Sequence, residues 1–182
     1  MGEAEKSMAD VAAGASVPGD AFSRVTRSTE ETIACGRAIG ALLEEGDVLV
    51  LTGDLGAGKT QLTKGIASAM GVADDVCSPT FNIQMVYEGE RMPLYHFDLY
   101  RLERADELED TGLFDALDGD GACVIEWGEQ FADELGDDLV SITLSRLDDE
   151  VAPGEEPPRR VTCTGTGARS RRLVAALADA LA

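Results

Sequence analysis

Hydrophobic and polar positions along this chain follow two periods, and the switches between them mark its elements. Between Ala21 and Arg27, apolar Phe22 and Val25 stand among polar neighbours, which predicts a short edge strand. Ser28 or Thr29 then caps a helix, with Glu31 three residues after Ser28 as in a capping box. Ile33, Ile39, Leu42 and Leu43 give that helix an apolar face, and Gly46 stops it. Val48 to Thr52 is a continuous apolar run, as a strand buried on both faces requires. Gln61 to Met70 returns to the helical period and ends at Gly71. Thr80 to Tyr87 and Met92 to Leu99, joined through Glu88, Gly89 and Glu90, read as a β-hairpin. Glu103 to Leu108 reads as a helix and Asp118 to Gly121 as a loop. A second buried run, Ala122 to Ile125, ends at Glu126 and Trp127. A short helix over Glu129 to Leu135 follows, then a strand over Leu139 to Ser145 with Ile142 and Leu144 on one face. Asp148 to Pro158 is an acidic, proline-rich loop expected to be exposed and mobile. Arg160 to Thr164 is the strand that pairs back, and Arg169 to Leu181 a closing amphipathic helix. Residues 1–20 lack any periodicity and are expected to be a mobile tail, leaving 21–182 as one domain.

Two hydrophobic runs capped by glycine and acid carry the chemistry. Between the first run and its helix, Gly53, Asp54, Leu55, Gly56, Ala57, Gly58, Lys59 and Thr60 fill the G-x-x-x-x-G-K-[ST] pattern. Glycines let successive backbone N–H groups curl around an anion, and the helix N-terminus adds partial positive charge. Lys59 can then reach the β- and γ-phosphates, and the Thr60 hydroxyl can ligate Mg²⁺. The expected fold is accordingly α/β: a P-loop NTPase-like three-layer sandwich whose mixed sheet has central parallel strands and an antiparallel hairpin. A phosphate loop that holds Mg²⁺ needs a carboxylate at a neighbouring strand end. Two runs supply one: Ala122–Ile125 leads into Glu126, and Leu94–Phe97 into Asp98. The first is continuously apolar, which favours Glu126 as the metal-supporting acid. Asp98 is then a second acid, placed to position the attacking water or to bind a metal-bound one.

Charge and cysteine usage narrow the class. The 182 residues carry 35 Asp plus Glu against 15 Lys plus Arg, a formal net charge of −20. Such a field repels phosphate backbones and argues against direct gripping of nucleic acid. Cys35, Cys77, Cys123 and Cys163 are widely spaced without C-x-x-C, so four reduced and mostly buried thiols are expected. No apolar run is long enough to span a membrane, and the expected compartment is the cytoplasm. The only asparagine is Asn82, so the Asn-Lys-x-Asp motif that reads guanine is excluded.

The stretches GDVLVLTGDLGAGKT, SPTF (Ser78 to Phe81), LYHFDLYRL (Leu94 to Leu102) and VIEWGE (Val124 to Glu129), with the helix opening at Ser28, occur in one order. In that order and spacing the chain resembles the TsaE family, the bacterial ATPase of tRNA threonylcarbamoyladenosine biosynthesis, over roughly residues 21–182. The resemblance implies an ATP- and Mg²⁺-dependent protein acting with two partners of the TsaB and TsaD types. Together they form N6-threonylcarbamoyladenosine at position 37 of tRNAs that read ANN codons, and ATP hydrolysis resets the complex between cycles. It implies that Asp54 to Gln61 hold the nucleotide, with Lys59 and Thr60 serving the phosphates and Mg²⁺. It also implies that Asp98 and Glu126 are the important acids, that Trp127 lies beside the nucleotide, and that Ser78–Phe81 is a switch-like loop with Thr80 near the γ-phosphate. Gly128 stands where many members carry proline, and Gln61 where a second threonine is common.

Two other readings stay open on the residues alone. A small-molecule kinase shares the loop, but between Thr80 and Glu126 only Arg91, Arg101 and Arg104 could serve a lid, and they are scattered. A nucleotide-sensing module that never hydrolyses would not need two strand-end acids. His96, the only histidine, reads as a hydrogen-bonded structural residue, Arg101 as a partner of Asp98 or Glu103, and no arginine stands out as a cis finger.

Overall fold

The computed structural model describes residues 21–79, 81–151 and 154–182, so the expected tail over 1–20 and Thr80 lie outside the described residues. One seven-stranded sheet runs through the molecule in the order β1-β7-β6-β2-β5-β4-β3. Its strands are β1 (Ala21–Thr26), β2 (Val48–Thr52), β3 (Gln84–Tyr87), β4 (Leu94–Asp98), β5 (Ala122–Glu126), β6 (Val140–Arg146) and β7 (Arg159–Gly165). β2 pairs in parallel with β5 and β6, and β5 in parallel with β4. The β3–β4, β6–β7 and β1–β7 pairs are antiparallel. The expected mixed sheet with a parallel centre is the one observed.

Alternation along the central strands fills two cores. Leu49, Leu51 and Val124 face helices α1 (Thr29–Leu42), α2 (Lys59–Ala69) and α4 (Ala168–Ala180). Val48, Val50, Cys123 and Ile125 face the opposite side, where Leu108, Leu113 and Phe131 cover them. A strand buried on both faces must be apolar at every position, which is why β2 and β5 read as unbroken runs. Helix α1 opens as expected: Ser28 Oγ accepts from the Glu31 N–H, and the Glu31 carboxylate accepts from the Arg27 N–H at 2.8 Å.

The α1–α2 contact rests on glycine. A Cβ added to Gly36 would run into the Leu62 carbonyl oxygen, and one added to Gly65 into that of Ile33. Only residues without a side chain let the two backbones come this close. That contact locks α2, and with it the phosphate loop, against α1.

Several elements differ from expectation. The first hairpin strand is Gln84–Tyr87 rather than Thr80–Tyr87, because the Asn82 and Ile83 N–H groups donate back to the Pro79 carbonyl and close a turn. The helix expected over Glu103–Leu108 is a 3₁₀ segment, Ala105–Thr111, followed by the short helix α3 (Leu113–Leu117). Gly112, at φ 78°, separates the two. The expected Glu129–Leu135 helix is likewise 3₁₀, over Glu129–Glu134. Helix α2 begins at Lys59, two residues earlier than the apolar period suggests.

Candidate active site

The phosphate loop follows from glycine at positions that other residues adopt only under strain. Gly53, Gly56 and Gly58 have φ of 154°, 79° and 107°. The Ala57 N–H closes onto the Asp54 carbonyl at 3.0 Å, and the Leu62 N–H onto the Gly58 carbonyl at 3.0 Å, starting α2. Lys59, 6% exposed, donates from Nζ to the carbonyls of Gly53 at 2.6 Å and Asp54 at 3.2 Å. The same ammonium lies 4.6 Å from the Trp127 ring centroid. The lysine therefore bridges the mouth of the loop, held between carbonyl dipoles and an aromatic face.

Sheet register brings the two acids together. Asp98 and Glu126 are direct partners on the parallel strands β4 and β5, and Glu126 also pairs with Leu51 next to the loop. Both are buried, at 6% and 3% exposure. One oxygen of Glu126 and both oxygens of Asp98 are already engaged. Glu126 Oε1 lies 2.9 Å from His96 Nε2, on a histidine that is fully buried. Asp98 Oδ1 accepts the Tyr100 N–H at 3.0 Å, and Oδ2 accepts the Ser78 hydroxyl at 3.3 Å. His96 is thus the hydrogen-bonded residue that its sequence context suggested, and its partner is the acid at the end of the next strand. Trp127 takes φ 60°, a left-handed value that turns the chain sharply after Glu126 and sends the indole over Lys59.

Lys59, both acids, Ser78, Tyr100 and Trp127 line one cavity of about 540 Å³, and His96 stands behind it. Leu55, Gly56, Gly58, Lys59, Thr60, Gln61, Asp98, Glu126 and Trp127 all reach it, which gathers most of the residues singled out in the sequence. Asp54 and Ala57 do not. Asp54 faces a neighbouring hollow beside Arg146 and Asp148, and the Ala57 methyl is buried in the core on the helix side. Thr80 lies outside the described residues, while Ser78 does line the cavity. Arg101 stacks over the exposed ring of Phe81, 5.1 Å from its centroid.

Four cavity residues escaped the sequence reading: Thr29, Tyr100, Glu156 and Arg159. Tyr100, beside Trp127 at 5.1 Å, carries one local signal: it stands two residues past the acid that ends β4. Nothing local marks Glu156 or Arg159, which sit in a stretch that reads as loop.

The donors fit a hard cation. Thr60 offers a hydroxyl, and Asp98 and Glu126 offer carboxylates at one end of the cavity. Among the described residues no three His, Cys, Asp or Glu side chains cluster tightly enough to hold a metal alone. One hydroxyl and one or two carboxylates, with phosphate oxygens completing the shell, is the donor set that Mg²⁺ takes in nucleotide sites.

A family model described as "Threonylcarbamoyl adenosine biosynthesis protein TsaE" matches residues 26–153. The chain is 46% identical over 125 residues to the TsaE protein of Treponema pallidum, covering 69% of this chain and 92% of that one. It is 40% identical over 148 residues to the TsaE protein of Bacillus subtilis, covering 81% and 88%. The crystal structure of Bacillus subtilis YdiB superposes with a TM-score of 0.73 at 32% identity, over 89% of this chain and 97% of that one.

Proposed function

Because the chain belongs to the TsaE family, we propose that it is the Mg²⁺-dependent ATPase of a cytoplasmic complex that forms N6-threonylcarbamoyladenosine on tRNA. Its partners are the TsaB- and TsaD-type proteins, tRNA is met mainly through them, and hydrolysis resets the complex between cycles. The observation that carries this reading is the meeting of Lys59, Thr60, Asp98 and Glu126 in one cavity at the mouth of a glycine loop. A cradle alone binds phosphate. Two buried acids in register beside it add what hydrolysis needs.

Each side chain has a task that its contacts support. Glycine-loop N–H groups and the α2 N-terminus grip the β-phosphate region, and Lys59 exchanges its carbonyl partners for phosphate oxygens. Thr60 and Glu126 would hold Mg²⁺, which when bound would neutralise charge on the phosphates. His96 fixes the Glu126 carboxylate through Oε1, leaving Oε2 for the metal or its waters. Asp98, anchored by Tyr100 and Ser78, orients the attacking water. Ser78 precedes the Pro79 turn, so movement of that segment on nucleotide binding would reach Asp98 directly. Positioning and charge stabilisation, rather than a strong base, drive phosphoryl transfer to water.

The test is phosphate release from ATP with and without the two partner proteins. Slow release that their addition accelerates is expected. An unchanged rate combined with phosphorylation of a small metabolite would establish a kinase instead.

A further inference from the structure

The segment that brings Ser78 to Asp98 is held by a side chain with no part in the chemistry above. Residues 75–78 belong to no helix or strand, so no ladder fixes them. Tyr87, the last residue of β3, takes that place. It is 2% exposed, and its hydroxyl engages one residue of the segment twice. The phenol oxygen accepts from the Cys77 N–H at 3.2 Å and donates to the Cys77 carbonyl at 3.3 Å. One side chain thus satisfies both backbone polar groups of Cys77, as a neighbouring strand would. The next residue, Ser78, donates from its hydroxyl to Asp98 Oδ2 at 3.3 Å.

Tyr87 is itself firmly placed. β3 pairs with β4, which sets Tyr87 opposite Leu94 on the strand that ends in Asp98. Its ring centroid lies 6.4 Å from that of His96, tilted by 35°, a separation at which aromatic rings pack. Burial raises the phenol above its ordinary value of 10.0, so the hydroxyl keeps the proton that it donates. The acid and the brace of the loop that touches it therefore share one strand pair. We propose that Tyr87 is a positioning residue for Asp98: its hydroxyl fixes Cys77, and with it the Ser78 hydroxyl, against the acid. The inference rests on the ATP-hydrolysis reading and adds a residue outside the nucleotide cavity on which turnover depends. Asp98 orients water in that reading and does not grip the phosphates, so a loosened brace lowers turnover and spares nucleotide binding.

The experiment is steady-state phosphate release from ATP, with Mg²⁺ and the two partner proteins, by wild type, Tyr87→Phe, Ser78→Ala and the double variant. Tyr87→Phe keeps the ring and should lower kcat by about five- to tenfold, with KM for ATP within about twofold. Because Tyr87 acts through Ser78, adding Tyr87→Phe to Ser78→Ala should cost less than about twofold more, whereas independent losses would multiply. A wild-type measurement accompanies the variants, since loss of a buried hydroxyl can disturb folding. By NMR hydrogen exchange, the Cys77 amide should be protected in the wild type and should exchange about tenfold faster or more in Tyr87→Phe. A wild-type kcat in folded Tyr87→Phe, losses that multiply in the double variant, or a Cys77 amide that exchanges at the open-chain rate in the wild type would overturn the inference. Absence of hydrolysis by the wild type, with the Cys77 amide still protected, would instead overturn the hydrolysis reading beneath it.

Discussion

Gly65→Ala tests whether helix packing sets the position of the phosphate loop. A Cβ at residue 65 would lie 2.9 Å from both the Arg37 nitrogen and the Gly36 Cα, and nearer still to the Ile33 carbonyl oxygen. Comfortable carbon contacts begin at about 3.5 Å, so α1 and α2 must part by roughly 0.6 Å or more. Backbone atoms cannot rotate aside, which puts the cost near the upper end of about 1–3 kcal/mol for overpacking. Alanine returns about 1 kcal/mol through its better helix propensity. The net is about 2 kcal/mol destabilising, and for a chain of this length about 4–8 °C in Tm. Differential scanning calorimetry reads the shift directly. The sign is decisive: if crowding were absent, propensity alone would raise Tm by roughly 2–4 °C. An unchanged or raised Tm would refute the close crossing. Since α2 starts at Lys59, ADP affinity should fall in the same variant.

Asp98→Asn and Glu126→Gln should retain nucleotide binding while phosphate release falls by about 100-fold or more; normal turnover in both would remove the acids from the site. Burial pushes the Cys35 thiol up to about 11 and the Cys123 thiol up to about 12, and Cys163 is buried too, whereas Cys77 is exposed. Ellman's reagent at neutral pH should therefore count one thiol in the folded protein and all four after denaturation. Asp138 accepts hydrogen bonds from the Ser170 and Arg169 N–H groups at the start of α4; the Ser170 side chain first, and then these two N–H groups, hold its carboxyl below the ordinary value of 3.8. A carboxyl depressed in the folded state contributes stability that is complete above its ordinary value and is lost as pH falls through the folded one. Asp138→Asn should lower Tm at pH 7 and bring the difference from wild type toward zero in the most acidic buffers; a gap that stayed constant down through that range would contradict the cap.

Much of this architecture was legible because its strongest demands fall on few residue types. A strand buried on both faces must be continuously apolar, so β2 and β5 announced themselves, and the acids that end β4 and β5 could be named before their registry was known. The 3₁₀ segments could not be read. Ala105–Thr111 is polar and short, and one buried leucine, Leu108, sets no period. Helix α1 shows itself through its large apolar residues, yet Gly36 and Gly40 are buried alongside Ile39, and hydrophobicity alone does not mark them. Arg159 was invisible for a different reason. In sequence it is one of a pair of arginines behind a proline-rich acidic loop, and only its burial distinguishes it from Arg160.

The same contrast explains how an acidic chain could hold the anion proposed for it. A net charge of −20 opposes the approach of a triphosphate, but exposed charges are screened beyond about 8 Å at physiological salt. What a nucleotide in the proposed site would feel is local. Lys59 on the acid side, Arg159 on the other flank and the α2 N-terminus between them place positive charge along the length of the cavity. Asp98 and Glu126 sit only at one end, where a divalent cation converts two repulsions into attractions. Their burial beside β2 is therefore coherent with a metal nucleotide and unfavourable for a bare one. Without Mg²⁺, ATP should bind markedly more weakly, and Glu126→Gln should narrow that difference by removing one of the two charges the metal offsets. An ATP affinity indifferent to Mg²⁺ in the wild type would break the link between the acids and the cradle.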